Sequence, residues 1–254
     1  MRTRIIGIVS GKGGVGKTTT VANLGASLSL LRKNTILVDG NLTTPNLSLH
    51  LGIPFYPYTI HEVLNGKAEI EDAIFYHKTG LKILPASISL SALKSINLRR
   101  FGEIFRMLEG RTEYVLVDSS PGLGKETQSV IEHSDEVLVV LNPELPAITD
   151  ALKVIKLAES LGTEITGIVV NKVRNDPHEL KLEEIEEILE YPLIGVVPED
   201  KNVHLSILKK TPIVFCYPNS KASKKFKEIA CKISGEKLKE KKSLLDKLLE
   251  LLGK

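Results

Sequence analysis

The feature that most constrains this chain is the run Gly11-Lys12-Gly13-Gly14-Val15-Gly16-Lys17-Thr18, set directly after the apolar stretch Ile5-Ile6-Gly7-Ile8-Val9-Ser10. Strand, G-x-x-x-x-G-K-[ST], then helix is the context in which a glycine-rich loop holds phosphates. The glycines let successive backbone N–H groups turn inward on an anion, and the helix that follows adds the positive end of its dipole. Lys17 supplies a point charge for the outer phosphates of ATP or ADP, and Thr18 a hydroxyl for Mg²⁺. Gly11 through Thr19 form the candidate nucleotide-binding set: Gly11, Lys12, Gly13, Gly14, Val15, Gly16, Lys17, Thr18 and Thr19.

A loop of this kind needs a strand before it and a helix after it, and the rest of the chain repeats that alternation. Short apolar runs occur at Ile5–Ser10, Thr35–Asp39, Leu81–Pro85, Tyr114–Asp118, Glu136–Leu141, Glu164–Asn171 and Leu193–Val197. Their continuous hydrophobicity suits strands buried on both faces. Helical patterns separate them at Lys17–Leu31, Ile88–Leu108, Lys125–His133, Ala147–Leu161 and Glu179–Leu189. The expected fold is α/β, a doubly wound, mostly parallel sheet flanked by helices. Ligands of such sheets sit at the carboxyl ends of the strands.

Two of those ends carry acids. Tyr114-Val115-Leu116-Val117 leads into Asp118 and the loop Ser119-Ser120-Pro121-Gly122-Leu123-Gly124, a strand presenting a carboxylate to a metal beside a glycine-containing loop. Thr35-Ile36-Leu37-Val38 leads likewise into Asp39.

The pattern Lys-Gly-Gly-Val-Gly-Lys-Thr-Thr at Lys12–Thr19 resembles the deviant phosphate loop of the MinD/ParA ATPase family, and the resemblance covers roughly residues 3–234. It implies a P-loop ATPase fold, ATP and Mg²⁺ as ligands, and Thr18, Asp39 and Asp118 around the metal. It also implies an ATP-bound homodimer in which Lys12 reaches the partner's nucleotide. The segment Asp39–Ser48 is similar to the family's first switch, with Asp39, Asn46 and Leu47 matching. The second acid of that switch is replaced by Asn41. An amide cannot accept a proton as a base at neutral pH, so slow hydrolysis is expected from the set Lys12, Lys17, Asp39, Asn41 and Asp118. For the base, the resemblance implies Asn171 on adenine with Pro198, Glu199 and Asp200 lining the pocket. The same residues also read as a turn-forming Asn and a helix-capping Asp.

Composition bounds the remaining possibilities. The net charge of +3 over 254 residues is not that of an obligate nucleic-acid binder. Lys221 to Lys254, however, holds eleven Lys against five Asp/Glu, a local +6 that leaves −3 for the rest. Cys216 and Cys231 lack metal-ligand spacing, which argues against an iron–sulfur carrier and for reduced cytosolic thiols. No run reaches the roughly 18–20 apolar residues of a spanning helix, and residues 1–10 do not make a signal peptide.

The expected division is an ATPase domain over residues 1–235 and a basic, amphipathic tail over 236–254. Ser243-Leu244-Leu245-Asp246 reads as a helix start. Leu244, Leu245, Leu248, Leu249, Leu251 and Leu252 then share one face. Such a helix gains order in the acyl boundary of a membrane or packed on protein. The tail and the Pro198-Glu199-Asp200 loop favour the MinD branch, which implies a cytoplasmic protein peripheral at the inner face of the cell membrane, with a protein partner the sequence does not name. Rival readings are a ParA-type segregation ATPase holding DNA through Lys/Arg, and an ATP-binding scaffold with little turnover.

Overall fold

The structure, a computed structural model, describes residues 2–53, 55–89 and 98–236. Among these, eight strands make one sheet: β1 (Arg4–Val9), β2 (Thr35–Gly40), β3 (Phe75–Tyr76), β4 (Lys82–Leu84), β5 (Tyr114–Ser119), β6 (Glu136–Leu141), β7 (Glu164–Val173) and β8 (Leu193–Pro198). Their order is β3-β4-β2-β5-β1-β6-β7-β8, and every pairing is parallel except that of β3 with β4. The doubly wound α/β fold expected from the alternation is the one found.

Successive side chains of a strand point to opposite faces, and the core divides by that parity. Ile6, Ile8, Leu37, Leu116, Leu138, Val140 and Val169 face the layer built from α1 (Lys17–Leu30) and the later helix Lys221–Ser234. Ile36, Val38, Val115 and Val117 face the other layer: α2 (Leu47–Leu51) packs with α1, while α3 (Ile60–Leu64), α4 (Ile70–Ala73) and α5 (Phe101–Leu108) cover this face. Past β1 the same side is covered by α6 (Lys125–His133), α7 (Leu145–Leu161) and α8 (Leu182–Leu189), against Val137, Val139, Ile168 and Val170. Layers on both faces explain why the strands read as unbroken apolar runs. Helix α1 lies unusually close to the sheet: a Cβ on Gly25 would meet Leu37 Cδ2 at 2.4 Å.

Three expectations change. The helix expected over Ile88–Leu108 is narrower, since Ile88 and Ser89 are not helical, a 3₁₀ turn covers Leu98–Arg100 and α5 begins at Phe101; residues 90–97 lie outside the described set. Short helices α9 (Lys201–Leu208) and α10 (Ile213–Cys216) follow β8, where alternation had shown none. Finally α11 (Lys221–Ser234), read only as part of a basic end, is amphipathic and buries Phe226, Ile229, Ala230 and Ile233 in the α1 layer. Five of the eleven lysines counted in that end lie on this packed helix. Gly235 closes α11 at φ 69°, the left-handed conformation that ends helices. The leucines of the tail, Leu244 to Leu252, lie outside the described residues.

Candidate functional site

The loop Gly11–Thr18 leaves β1 and delivers the chain to the first turn of α1, whose leading N–H groups have no intrahelical acceptors. Gly16 sits at φ 102°, and a Cβ there would stand 2.2 Å from Asn171 Nδ2. Glycine is therefore required on both counts. Lys17 is 7% exposed, and its ammonium donates to Ser10 Oγ at 2.8 Å, while Ser10 Oγ donates to the Lys12 carbonyl. Burial pushes the Lys17 pKa down and the Asp118 charge pulls it back up. From across the sheet, Asn171 Nδ2 donates to the Val15 carbonyl at 2.7 Å and Lys172 Nζ to the Gly14 carbonyl at 2.7 Å. The end of β7 thus ties down the loop that leaves β1.

Parallel pairing of β2 with β5 places Asp39 directly beside Asp118. Both are essentially inaccessible, and Asp118 Oδ1 is buried with no hydrogen-bond partner. Asp39 accepts from the backbone N–H groups of Asn41 and Leu47. Burial raises the Asp118 pKa to about 6, opposed by the Thr18 hydroxyl and the Lys17 cation. Asp39 is raised well above the usual carboxylate range by burial and by the Asp118 charge. Two desolvated acids, one with an unsatisfied oxygen, beside a hydroxyl and a buried lysine are what a divalent cation would relieve. No cluster of three or more His, Cys, Asp or Glu positioned for a metal occurs among the described residues. Two paired carboxylates, one with a free oxygen, and the Thr18 hydroxyl fit Mg²⁺, which takes one or two carboxylates and completes its shell with water and phosphate oxygens.

A cleft of about 460 Å³ runs from the loop glycines past Thr18, Asn41 and Asn46 to Asn171, Pro198, Glu199 and Asp200. The space is that of a nucleotide-sized ligand. Leu49, Val203 and Ile207 form apolar parts of the wall beside His50 and His204. The Asp200 carboxylate is committed to structure: it caps α9 through Asn202 N and accepts from Ala222 N. Its side chain follows the capping alternative, although the residue lines the cleft. Asn171 spends one N–H on the phosphate loop and keeps its carbonyl and second N–H.

The family model of the CobQ/CobB/MinD/ParA nucleotide binding domain matches residues 6–213. The chain belongs to this family. Over 250 residues it is 40% identical to an uncharacterised ATP-binding protein of Methanocaldococcus jannaschii, covering 96% of this chain and 95% of that one. The cell division ATPase MinD of Pyrococcus furiosus superposes with a TM-score of 0.88 at 36% identity, over 91% of this chain and 98% of that one. MinD of Pyrococcus horikoshii in complex with Mg-ADP gives 0.87 at 34%, over 91% and 96%.

Within this MinD/ParA frame the structure gathers Lys17, Thr18, Asn41, Asn171 and the Pro198–Asp200 turn on the wall of one cleft, with Asp39 and Asp118 paired and buried off that wall. Lys12 is not on its wall: its ammonium lies 3.6 Å from Glu144, both side chains about half exposed. Sequence reasoning passed over Lys172, His50, Ser120 and Glu126. Lys172 carried a signal, since it follows Asn171 at a strand end. His50 reaches Thr19 Oγ1 at 3.4 Å, and burial pushes its pKa down to about 4, so it stands neutral. Ser120 and Glu126 stand six residues apart and touch each other, but their contacts with Asn41 and Thr43 span 79 and 83 positions.

Proposed function

We propose that this protein binds ATP with Mg²⁺ in the cleft, pairs with a second copy in the ATP state and hydrolyses the nucleotide slowly. In this reading it is a switch that positions a partner at the inner face of the cell membrane, in division-site placement or polar organisation. Lys17 binds the outer phosphates, and the backbone N–H groups of Gly13 to Thr18 wrap them. Thr18, Asp39 and Asp118 would hold Mg²⁺, which when bound neutralises charge on the terminal phosphates. Asn171 orients the base, and Leu49, Val203 and Ile207 exclude water from one side of it.

The observation that carries the dimer is the placement of Lys12. It belongs to the phosphate loop, yet it points away from its own cleft into a half-exposed pair with Glu144. Such exposed pairs contribute about 0–1 kcal/mol, so Lys12 is released at little cost toward a second nucleotide. No helix among the described residues is long and apolar enough to cross a membrane. In this reading membrane residence falls to the leucine-bearing tail, where two weak anchors on a dimer gain avidity.

Sedimentation velocity with ADP and with ATP, with and without liposomes, tests the reading. The expected result is a dimer with ATP only, abolished in Lys12→Ala, and lipid co-sedimentation lost on deleting residues 243–254. Dimers that ignore lipid and sediment with DNA in a salt-sensitive way would favour the segregation reading instead.

A further inference from the structure

Asn41 Oδ1 accepts from Thr44 N at 3.1 Å and from Thr44 Oγ1 at 3.0 Å, and Ser120 Oγ stands 2.9 Å from it. A backbone N–H can only donate, so the group facing Thr44 must be the carbonyl oxygen, and the orientation of the amide is settled. The NH₂ of Asn41 remains, on a residue of the cleft wall, bonded to none of the described residues. Where the resemblance implies an acid, this chain offers an N–H donor. A donor can hold a phosphate oxygen, but it can neither take a proton from water nor orient water as an acceptor. The carbonyl route to water that an asparagine ordinarily offers is closed here.

An acceptor stands next in line. Ser120 lies between Ser119 and Pro121, both on the cleft wall, and its Oγ contacts Asn41 Oδ1 on one side and Glu126 Oε2 on the other. Glu126 Oε1 accepts from the Thr43 hydroxyl. The Ser120 backbone is fixed as well, its carbonyl accepting from Thr127 Oγ1 at 2.8 Å and Ser119 Oγ at 3.0 Å. The line Glu126–Ser120–Asn41 therefore has two oxygen-to-oxygen contacts and a single hydroxyl proton, that of Ser120, to fill them. The line is one proton short, and a proton delivered at Ser120 completes it.

We propose that Glu126, acting through Ser120, is the proton acceptor for hydrolysis in place of the acid absent at position 41. The proposal rests on the reading of the cleft as an ATPase site. The attacking water forms its bond to the terminal phosphorus as the bridging P–O bond breaks and its electron pair leaves with the diphosphate. The water's proton passes to Ser120 Oγ while the Ser120 hydroxyl proton passes to Glu126 Oε2. Ser120 then donates to Asn41 Oδ1, and Glu126, partly exposed on the first turn of α6, returns the proton to solvent.

Steady-state Mg-ATP hydrolysis by the full chain tests this, with Glu126→Gln, Asn41→Asp, the double variant and Lys17→Ala as baseline. Glu126→Gln should lower kcat by about 10²-fold with KM within twofold. In the Asn41→Asp background, where an acid is restored at the cleft, the same change should cost less than threefold. Ser120→Ala, which leaves the Thr43–Glu126 contact in place, should reproduce the kcat loss, and it serves as the test should Glu126→Gln fail to fold. A wild-type rate no greater than that of Lys17→Ala overturns the ATPase reading and the proposal with it. A clear wild-type rate that Glu126→Gln leaves unchanged, or lowers equally in both backgrounds, overturns the role of Glu126 alone.

Discussion

The phosphate loop and the loop at 41–46 meet across the same cleft, yet they are built differently. The first is held by main chain and by other strands: Gly16 needs its positive φ, the end of β7 grips the Gly14 and Val15 carbonyls, and Lys17 is buried on Ser10. The second hangs on side chains, through the Asn41 amide oxygen, Thr43, Thr44 and the Ser120–Glu126 link. A frame of backbone and buried contacts is ready before ligand arrives. A loop held by polar side chains next to the phosphates exchanges those bonds with whatever binds, which suits the part that must sense the nucleotide.

The sharpest way to break the comparison is Lys17→Ala. It should lower nucleotide turnover by about 10²–10³-fold while leaving the fold intact, as checked by ATPase assay and circular dichroism. Next comes Asn171→Ala, which leaves the Val15 carbonyl without its donor. A loss of about 1–3 kcal/mol in unfolding stability is expected by urea denaturation, with weaker binding of a fluorescent ADP analogue. If Asn171→Ala leaves both unchanged, the grip of β7 on the loop does not matter.

The acid pair gives a third test. Asp118 has a folded pKa raised from 3.8 to about 6. Between those values the folded state binds more protons than the unfolded one, so the nucleotide-free protein should lose stability as pH rises from about 4 to about 6. Asp118→Asn should reduce that slope, leaving the part that buried Asp39 contributes, and stabilise the ligand-free protein at pH 7 by on the order of 2 kcal/mol, while abolishing Mg²⁺-dependent gains. The smallest effect is expected from Glu144→Ala. Its partner Lys12 is half exposed, so stability should move by less than about 0.5 kcal/mol.

What the sequence could reveal follows the same division. The phosphate loop and the acid-bearing strands β2 and β5 were legible because their chemistry lies in contiguous residues with fixed spacing. The antiparallel β3, two residues long, and the one-turn helices α2, α3 and α4 are too short for a periodic signal. Helix α11 was hidden by its lysines, which stay exposed or half-buried while Phe226 and Ile229 are buried. The orientation of the Asn41 amide could not be read at all, because it is decided by Thr44 and by Ser120, which is 79 positions away. Glu126 was missed although Ser120 stands only six positions before it, because Ser120 gains its place beside Asn41, and Glu126 its place beside Thr43, only in the folded chain.

The register that sets Asp39 against Asp118 has a kinetic consequence. The pair hangs from the hydrogen-bond ladder between two central strands, which opens only when the whole domain unfolds. The loops on either side can open and close at a fraction of that free energy. Release of nucleotide can therefore be frequent while the spacing of the two acids lasts as long as the native state. The slowest amides to exchange with deuterium should belong to the same two strands as the two acids proposed to hold the metal.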